Sequence, residues 1–228
     1  MIAIGIHETR ENRTTTVNII AQGAIMTDPM RKFVDVDELR EHIRVEYREV
    51  AKSPDKGFHF HTGRPLAKIV LYKDEWLTAV PEEVLASFAG TGNPFSMGEM
   101  QPGERVVDLG CGAGIDSFIA AAQVGKEGAV VGIDMIEEML AKAAKAKERT
   151  GLPQLEFKHG YMEDIPISDG WADAVISNGV VNLCPDKPDV FKEILRILRP
   201  GGRIQFGDIL VHKPVPDSAK ENIDLWTG

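Results

Sequence analysis

Cysteine is scarce: Cys111 and Cys184 are the only two in 228 residues. A disulfide scaffold needs more, and two free thiols suit a reducing cytoplasm. Long apolar runs are also missing. No stretch approaches the ~18 consecutive apolar residues of a membrane-spanning helix. The opening MIAIGIHETRENRTTT lacks the basic start and long apolar stretch of a secretory leader. Basic charge is outnumbered, with 26 Lys and Arg against 35 Asp and Glu and a net charge of −9. That balance argues against a nucleic-acid backbone or an anionic membrane as the main partner. Repeats and low-complexity tracts are absent as well.

What is present is a globular composition, 43% hydrophobic and 27% charged. The length allows one domain with a full core and an extra arm. Residues 1–30 read as a flexible arm, with polar ENRTTT and the proline of MTDPM, and with Met26 or Met30 as alternative starts. Residues 31–100 read as a helical cap. In DVDELREHIRVEYREVA, Val36, Leu39, Ile43, Tyr47 and Val50 recur at spacings of three and four, which predicts an amphipathic helix. KSPDKGFHFHTGRP breaks it, and PEEVLASFAG predicts a second helix with Pro81 in its first turn and Gly90 as its stop.

From residue 101 to 228 the chain alternates strand and helix. RVVDL, AVVGID, LEFKHG, ADAVISN and RIQFGDILV are the strands. GIDSFIAAAQVG, MIEEMLAKAAKAKERTG and DKPDVFKEILRILRPGG are the helices. This alternation predicts an α/β, Rossmann-like, doubly wound and mainly parallel sheet with helices on both faces.

Gly110, Gly112 and Gly114 lie between the first of these strands and its helix, where a backbone without side chains turns tightly and lets a ligand approach. Asp134 ends the next strand, 20 residues after Gly114, the place of an acid that binds ribose hydroxyls. A dinucleotide fingerprint wants glycine where Ile115 stands. Asp108, just under the turn, is awkward for a pyrophosphate and suits a ligand bearing an ammonium and a sulfonium.

The stretch Asp-Leu-Gly-Cys-Gly-Ala-Gly followed by Asp134 resembles the first motifs of class I S-adenosylmethionine-dependent methyltransferases. The resemblance implies S-adenosyl-L-methionine as cofactor and a small-molecule methyl acceptor. It places Asp108, Gly110, Cys111, Gly112 and Gly114 around the cofactor. Met135 goes to one face of the adenine, Met162 and Glu163 beside it, and Asn178 offers a carbonyl to the ammonium. VISNGVVNLCPDKPDVFKEILRILRPGGRIQFGDI, with SFAGTGNPF, GIDMIEEMLAKA and the terminal DLWTG, is more narrowly similar to arsenite methyltransferases and their unassigned relatives.

The pattern also departs from that family. Arsenite methyltransferases hold trivalent arsenic with several thiolates, since soft sulfur suits a soft centre. One family cysteine follows the Ser-Asn of the fourth strand, where this chain has Gly179 and Val181, and the family's N-terminal cysteines are missing too. Cys184 is the remaining thiol near the methyl-transfer end. His59 and His61 alternate in the cap but are too few for a metal site, so no metal is expected. A quinone-type organic acceptor, or an inactive cofactor-binding fragment, are therefore the alternatives to arsenite. The family fold closes with two further strands, and only ENIDLWTG remains here, so a C-terminally incomplete sheet is expected. Its bare edge invites self-association. An already activated methyl group asks for alignment rather than a general base, and no catalytic residue is nominated.

Overall fold

The computed structural model describes residues 2–7, 16–21, 33–54, 56–58, 60–209 and 214–227. Ile2–His7 (β1) and Thr16–Ala21 (β2) pair antiparallel, within the stretch expected as a loose arm. The alternation of Ile2, Ile4 and Ile6 is the local strand signal there.

The cap begins with α1, Val36–Lys52, started by Asp35, whose carboxylate accepts from the amides of Asp37 and Glu38. Its apolar stripe buries Leu39, Ile43 and Val50. Next come α2, Gly63–Ile69, and α3, Asp74–Leu77. The expected break therefore gives way to helix from Gly63 onward. Pro65 falls in the first turn of α2, where a missing N–H forfeits no intrahelical bond. The PEEVLASFAG helix is α4, Glu82–Ala86. Pro81 caps it from outside rather than opening it, and Ser87, not Gly90, ends it.

Among the described residues the sheet has five parallel strands. These are Arg105–Leu109 (β3), Ala129–Asp134 (β4), Leu155–His159 (β5), Ala172–Asn178 (β6) and Leu198–Gly207 (β7). Their spatial order is β5-β4-β3-β6-β7. The helices between them are α5, Ile115–Val124, α6, Glu137–Thr150, and α7, Lys187–Ile197. Two short turns, α8 (Asp217–Lys220) and α9 (Asp224–Thr227), follow.

Strand periodicity divides the core in two. Val106, Val130, Ala174 and Ile176 pack with Phe118 and Ile119 of α5 and Met139 of α6. Val107, Leu109, Val131, Ile133 and Val175 pack with Val190, Ile194 and Ile197 of α7. Helices thus cover both faces, as expected for a doubly wound sheet. The last strand starts earlier than RIQFGDILV suggests. Leu198 pairs with Ala172, the register then shifts, and the ladder resumes at Arg203. Among the described residues β7 pairs only with β6, and so forms one edge of the sheet.

Strand order reverses at β3, whose successors run to β4 on one side while β6 lies on the other. A crevice at the carboxyl ends of such strands is where open α/β sheets take ligands. Leu109, Asp134 and Asn178 are those carboxyl ends here.

Candidate functional site

A cleft opens at this reversal, with about 1110 Å³ free of protein atoms, part of it open to solvent. All ten residues singled out from the sequence line it: Asp108, Gly110, Cys111, Gly112, Gly114, Asp134, Met135, Met162, Glu163 and Asn178. The cap closes the other side with Leu39, Arg40, Ile43 and Tyr47 of α1, and with Val84 and Phe88.

The glycine turn is shaped for two distinct reasons. Gly110 N and Cys111 N both donate to Ile133 O, at 2.8 and 3.0 Å, which folds the turn back onto β4. A Cβ on Gly110 would come within 2.5 Å of Val180, so that glycine allows close packing of the protein on itself. Gly112, at φ +53°, is different. A Cβ there would meet no protein atom within 4 Å, and the residue lines the cleft. Its amide donates to Asp134 Oδ2 at 2.7 Å, and Ile136 N donates to Oδ1 at 2.9 Å. A carboxylate accepts about four hydrogen bonds, so Asp134 keeps capacity for a ligand.

Three carboxyl groups, Asp108, Asp116 and Asp134, are buried around this space. Burial pushes all three above the usual carboxylate range, because a low dielectric disfavours the charged form. Asp108 is raised further by its neighbour Asp116, against stabilising bonds from Ser117, the Oγ at 2.6 Å and the backbone amide. Asp116 is pushed up to about 6 by burial, countered by hydrogen bonds from Tyr72 and Asn178. Among the described residues neither Asp108 nor Asp116 forms an ion pair with a basic side chain.

The walls are apolar and sulfur-rich. Met162 is buried and Met135 half-buried, with Cys184 Sγ 3.4 Å from Met162 Sδ. Burial pushes the Cys184 thiol up to about 12, and burial with the neighbouring Asp134 raises Cys111 well above its ordinary value. Both therefore stand as neutral thiols near pH 7. At the rim, Arg40 lies 3.4 Å from Glu163 and stacks on the Tyr161 ring at 4.4 Å, while Arg44 Nη2 donates to the Tyr161 hydroxyl at 2.7 Å. Glu163 thus has a cation partner from the cap, which its loop position did not suggest.

Asn178 does more than its place at a strand end suggests. Its Oδ1 accepts from Thr91 N and Gly92 N, both at 2.9 Å. Its Nδ2 donates to Gly92 O at 2.9 Å, Tyr72 Oη at 3.0 Å and Asp116 Oδ2 at 3.1 Å. The side chain ties the cap to the sheet. Asp116, Tyr72, Arg40 and Tyr161 escaped the sequence reading. Asp116 carried a signal, an acid in the otherwise apolar opening of GIDSFIAAAQVG. Arg40 and Tyr161 reach the cleft only through tertiary packing, and Tyr72 stands behind it, bonded to Asp116 and Asn178. His61 is exposed, and His59 lies outside the described residues. Among the described residues no three His, Cys, Asp or Glu side chains gather as metal ligands, and no helix is long and apolar enough to cross a membrane.

A family model described as a methyltransferase domain matches residues 100–227. The chain is 44% identical over 139 residues to an arsenite methyltransferase of Halobacterium salinarum, a match that covers 61% of this chain and 36% of the relative. It is 33% identical over 202 residues to the Mus musculus arsenite methyltransferase, covering 84% and 53%. Among solved structures it is similar to CrArsM, an arsenic(III) S-adenosylmethionine methyltransferase from Chlamydomonas reinhardtii. That likeness has a TM-score of 0.59 at 38% identity and covers 64% of this chain and 51% of the other. The chain spans 36% to 53% of the length of these two curated relatives.

Proposed function

The chain belongs to the methyltransferase domain family, and on that premise we propose that it binds S-adenosyl-L-methionine in the cleft and serves methyl transfer of the arsenite methyltransferase-like kind. The observation that carries this reading is the gathering of the glycine turn, Asp134 and the buried Asp108 and Asp116 at one cleft, neither of the last two ion-paired with a basic side chain among the described residues. The left-handed φ of +53° favours glycine at 112, and a positive ligand would favour the charged form of the buried acids beside it.

The residues present fit the donor. Asp134 has carboxylate capacity for sugar hydroxyls, Met135 and Met162 offer polarisable surface to a flat ring, and Asp108 supplies negative charge beneath the turn. Glu163 sits beside that ring, while Gly110, Cys111, Gly112 and Gly114 form the backbone of its seat. Asn178 takes part by fixing the 90–92 segment as well as by its position. When bound, the donor supplies a methyl group already activated on a sulfonium. The chain's own task is to hold the acceptor in line and to exclude water. Leu39, Ile43, Val84 and Phe88 of the cap, residues 31–100, perform the exclusion. No side chain of the cleft is assigned as general base.

The acceptor is a small molecule. Arsenite is supported by the relatives' names. A trivalent arsenic centre prefers several thiolates, however, and the cleft offers only Cys111, buried, and Cys184, half-buried, both as neutral thiols. On this account arsenite turnover depends on small thiols added from solution. The same scarcity favours an organic, quinone-like acceptor as the second reading. Two free cysteines accord with a reducing cytoplasm. The test is transfer of labelled methyl from S-adenosyl-L-methionine to arsenite with glutathione, against a panel of quinols. Label on methylated arsenic supports the first reading, label on quinols the second, and label on neither removes the enzymatic assignment.

A further inference from the structure

Asp116 occupies an unusual setting. The Tyr72 hydroxyl donates to its Oδ1 at 2.5 Å and Asn178 Nδ2 to its Oδ2 at 3.1 Å, while Asn178 Nδ2 also donates to the Tyr72 oxygen at 3.0 Å. The three side chains close a ring of hydrogen bonds drawn from three separate segments: the loop after α2, the first turn of α5 and the end of β6. Relative exposures of 5%, 4% and 8% for Tyr72, Asp116 and Asn178 keep bulk water out. The other groups facing it are acidic or neutral. Asp108 from β3 lies behind it, with Ser117 as donor, and Asp134 from β4 and the Cys111 thiol share the same floor. Arg40 from α1 lines the cleft but is engaged by Glu163 at 3.4 Å and Asp37 at 3.8 Å. His159 acts on Asp134.

We propose that Asp116 is a further binding residue of the donor site, meeting the donor's positive charge, and that Tyr72 is the positioning residue that holds it there with Asn178. The proposal rests on the reading of the cleft as the seat of S-adenosyl-L-methionine. Two neutral donors aimed at the carboxylate favour its charged form, and burial opposes it, so that it titrates at about 6. A cationic ligand favours the charged form further. Donor binding at mildly acid pH therefore expels a proton. Affinity rises with pH up to about 6 and is flat above it. Each pH unit below that point costs about tenfold in affinity for one linked proton.

Tyr72→Phe keeps the ring packing against Trp76, Phe88 and Phe95 and removes one donor. Asp116 then holds its proton to higher pH, so the loss of affinity is largest near neutrality and recovers in alkali. A merely structural role for Tyr72 would weaken binding equally at every pH. Asp116→Asn keeps shape and removes the charge, which weakens binding at neutral pH and removes the inflection at about 6.

The experiment is calorimetric titration with S-adenosyl-L-methionine from pH 5 to pH 8, in two buffers of different ionisation heat, for the native chain and both variants. The expected result is a native affinity about tenfold lower at pH 5 than at pH 7, with up to one proton released per donor bound. The inflection should move upward in Tyr72→Phe and vanish in Asp116→Asn. Donor binding by the native chain without proton release overturns the proposal and leaves the donor reading standing, and needs no variant to fold. Variants that bind as the native chain does at every pH overturn it equally. Absence of donor binding by the native chain removes the donor reading, and the proposal with it.

Discussion

Gly112→Ala separates a glycine needed by the fold from a glycine needed by the ligand. At φ +53° an alanine enters the left-handed region, which costs roughly 1–2 kcal/mol for a residue with a Cβ. No protein atom lies within 4 Å of that Cβ, so no clash adds to this cost. The backbone N–H that Asp134 accepts at 2.7 Å is retained. Melting should fall by roughly 2–8 °C for a chain of this size, leaving the protein folded. Donor binding should fall by at least about tenfold, or ~1.4 kcal/mol, because the methyl group stands where the ligand passes. Gly110→Ala is the contrasting variant. Its Cβ would lie 2.5 Å from Val180, so overpacking adds roughly 1–3 kcal/mol to the backbone strain and melting should fall further. Scanning calorimetry gives the first quantity and titration calorimetry the second. Gly112→Ala with native donor affinity and a small loss of melting temperature would refute the cradle.

Asp134→Ala should weaken donor binding by about 1–3 kcal/mol, through loss of a charged acceptor and of the bonds that hold Gly112 N and Ile136 N; unchanged affinity in titration calorimetry removes it from the site. Arsenite methylation by this chain should be weak, depend on added glutathione and drop in Cys184→Ser, since a hydroxyl is a poor ligand for a soft centre. Chromatography of methylated arsenic tests this, and brisk thiol-independent turnover untouched by Cys184→Ser contradicts it. The side of β7 that has no partner among the described residues should drive a rise in apparent mass with concentration in light scattering; a monomer at high concentration shows the edge protected. Arg203 Nη2 donates to Glu104 at 2.7 Å and holds that carboxyl below its ordinary value. The pair's contribution is present above the unfolded carboxylate range and is lost as pH falls through the lower folded value. Glu104→Gln should therefore flatten the acid limb of the stability curve, and an unchanged limb would show that the pair contributes nothing.

The sheet was legible because its signals are local. Val106 and Val107 fall on opposite faces by strand periodicity alone, and strand-helix alternation implies the parallel order. The glycine turn and Asp134 were legible by spacing, and all ten residues chosen from the sequence come together at one cleft. The hydrogen-bond ring was not legible. Tyr72 is 44 residues from Asp116 and 106 from Asn178, and no local pattern marks a hydroxyl that finishes against a carboxylate so far along the chain. Asn178 read as a strand terminus offering a carbonyl, and its side chain adds bonds to the cap and to Asp116 that the sequence does not show. The ends of α4 differ from the expectation: Pro81 stands just outside the helix and Ser87, not Gly90, ends it, since the first turn of a helix tolerates proline and does not require it.

The central claim is that the cleft is built for a cationic methyl donor rather than a dinucleotide. Titration calorimetry of the purified chain against S-adenosyl-L-methionine and, separately, against NAD tests it most directly. The account predicts one donor bound per chain, with NAD binding weaker or absent. Tighter binding of NAD, or no binding of S-adenosyl-L-methionine, would contradict it.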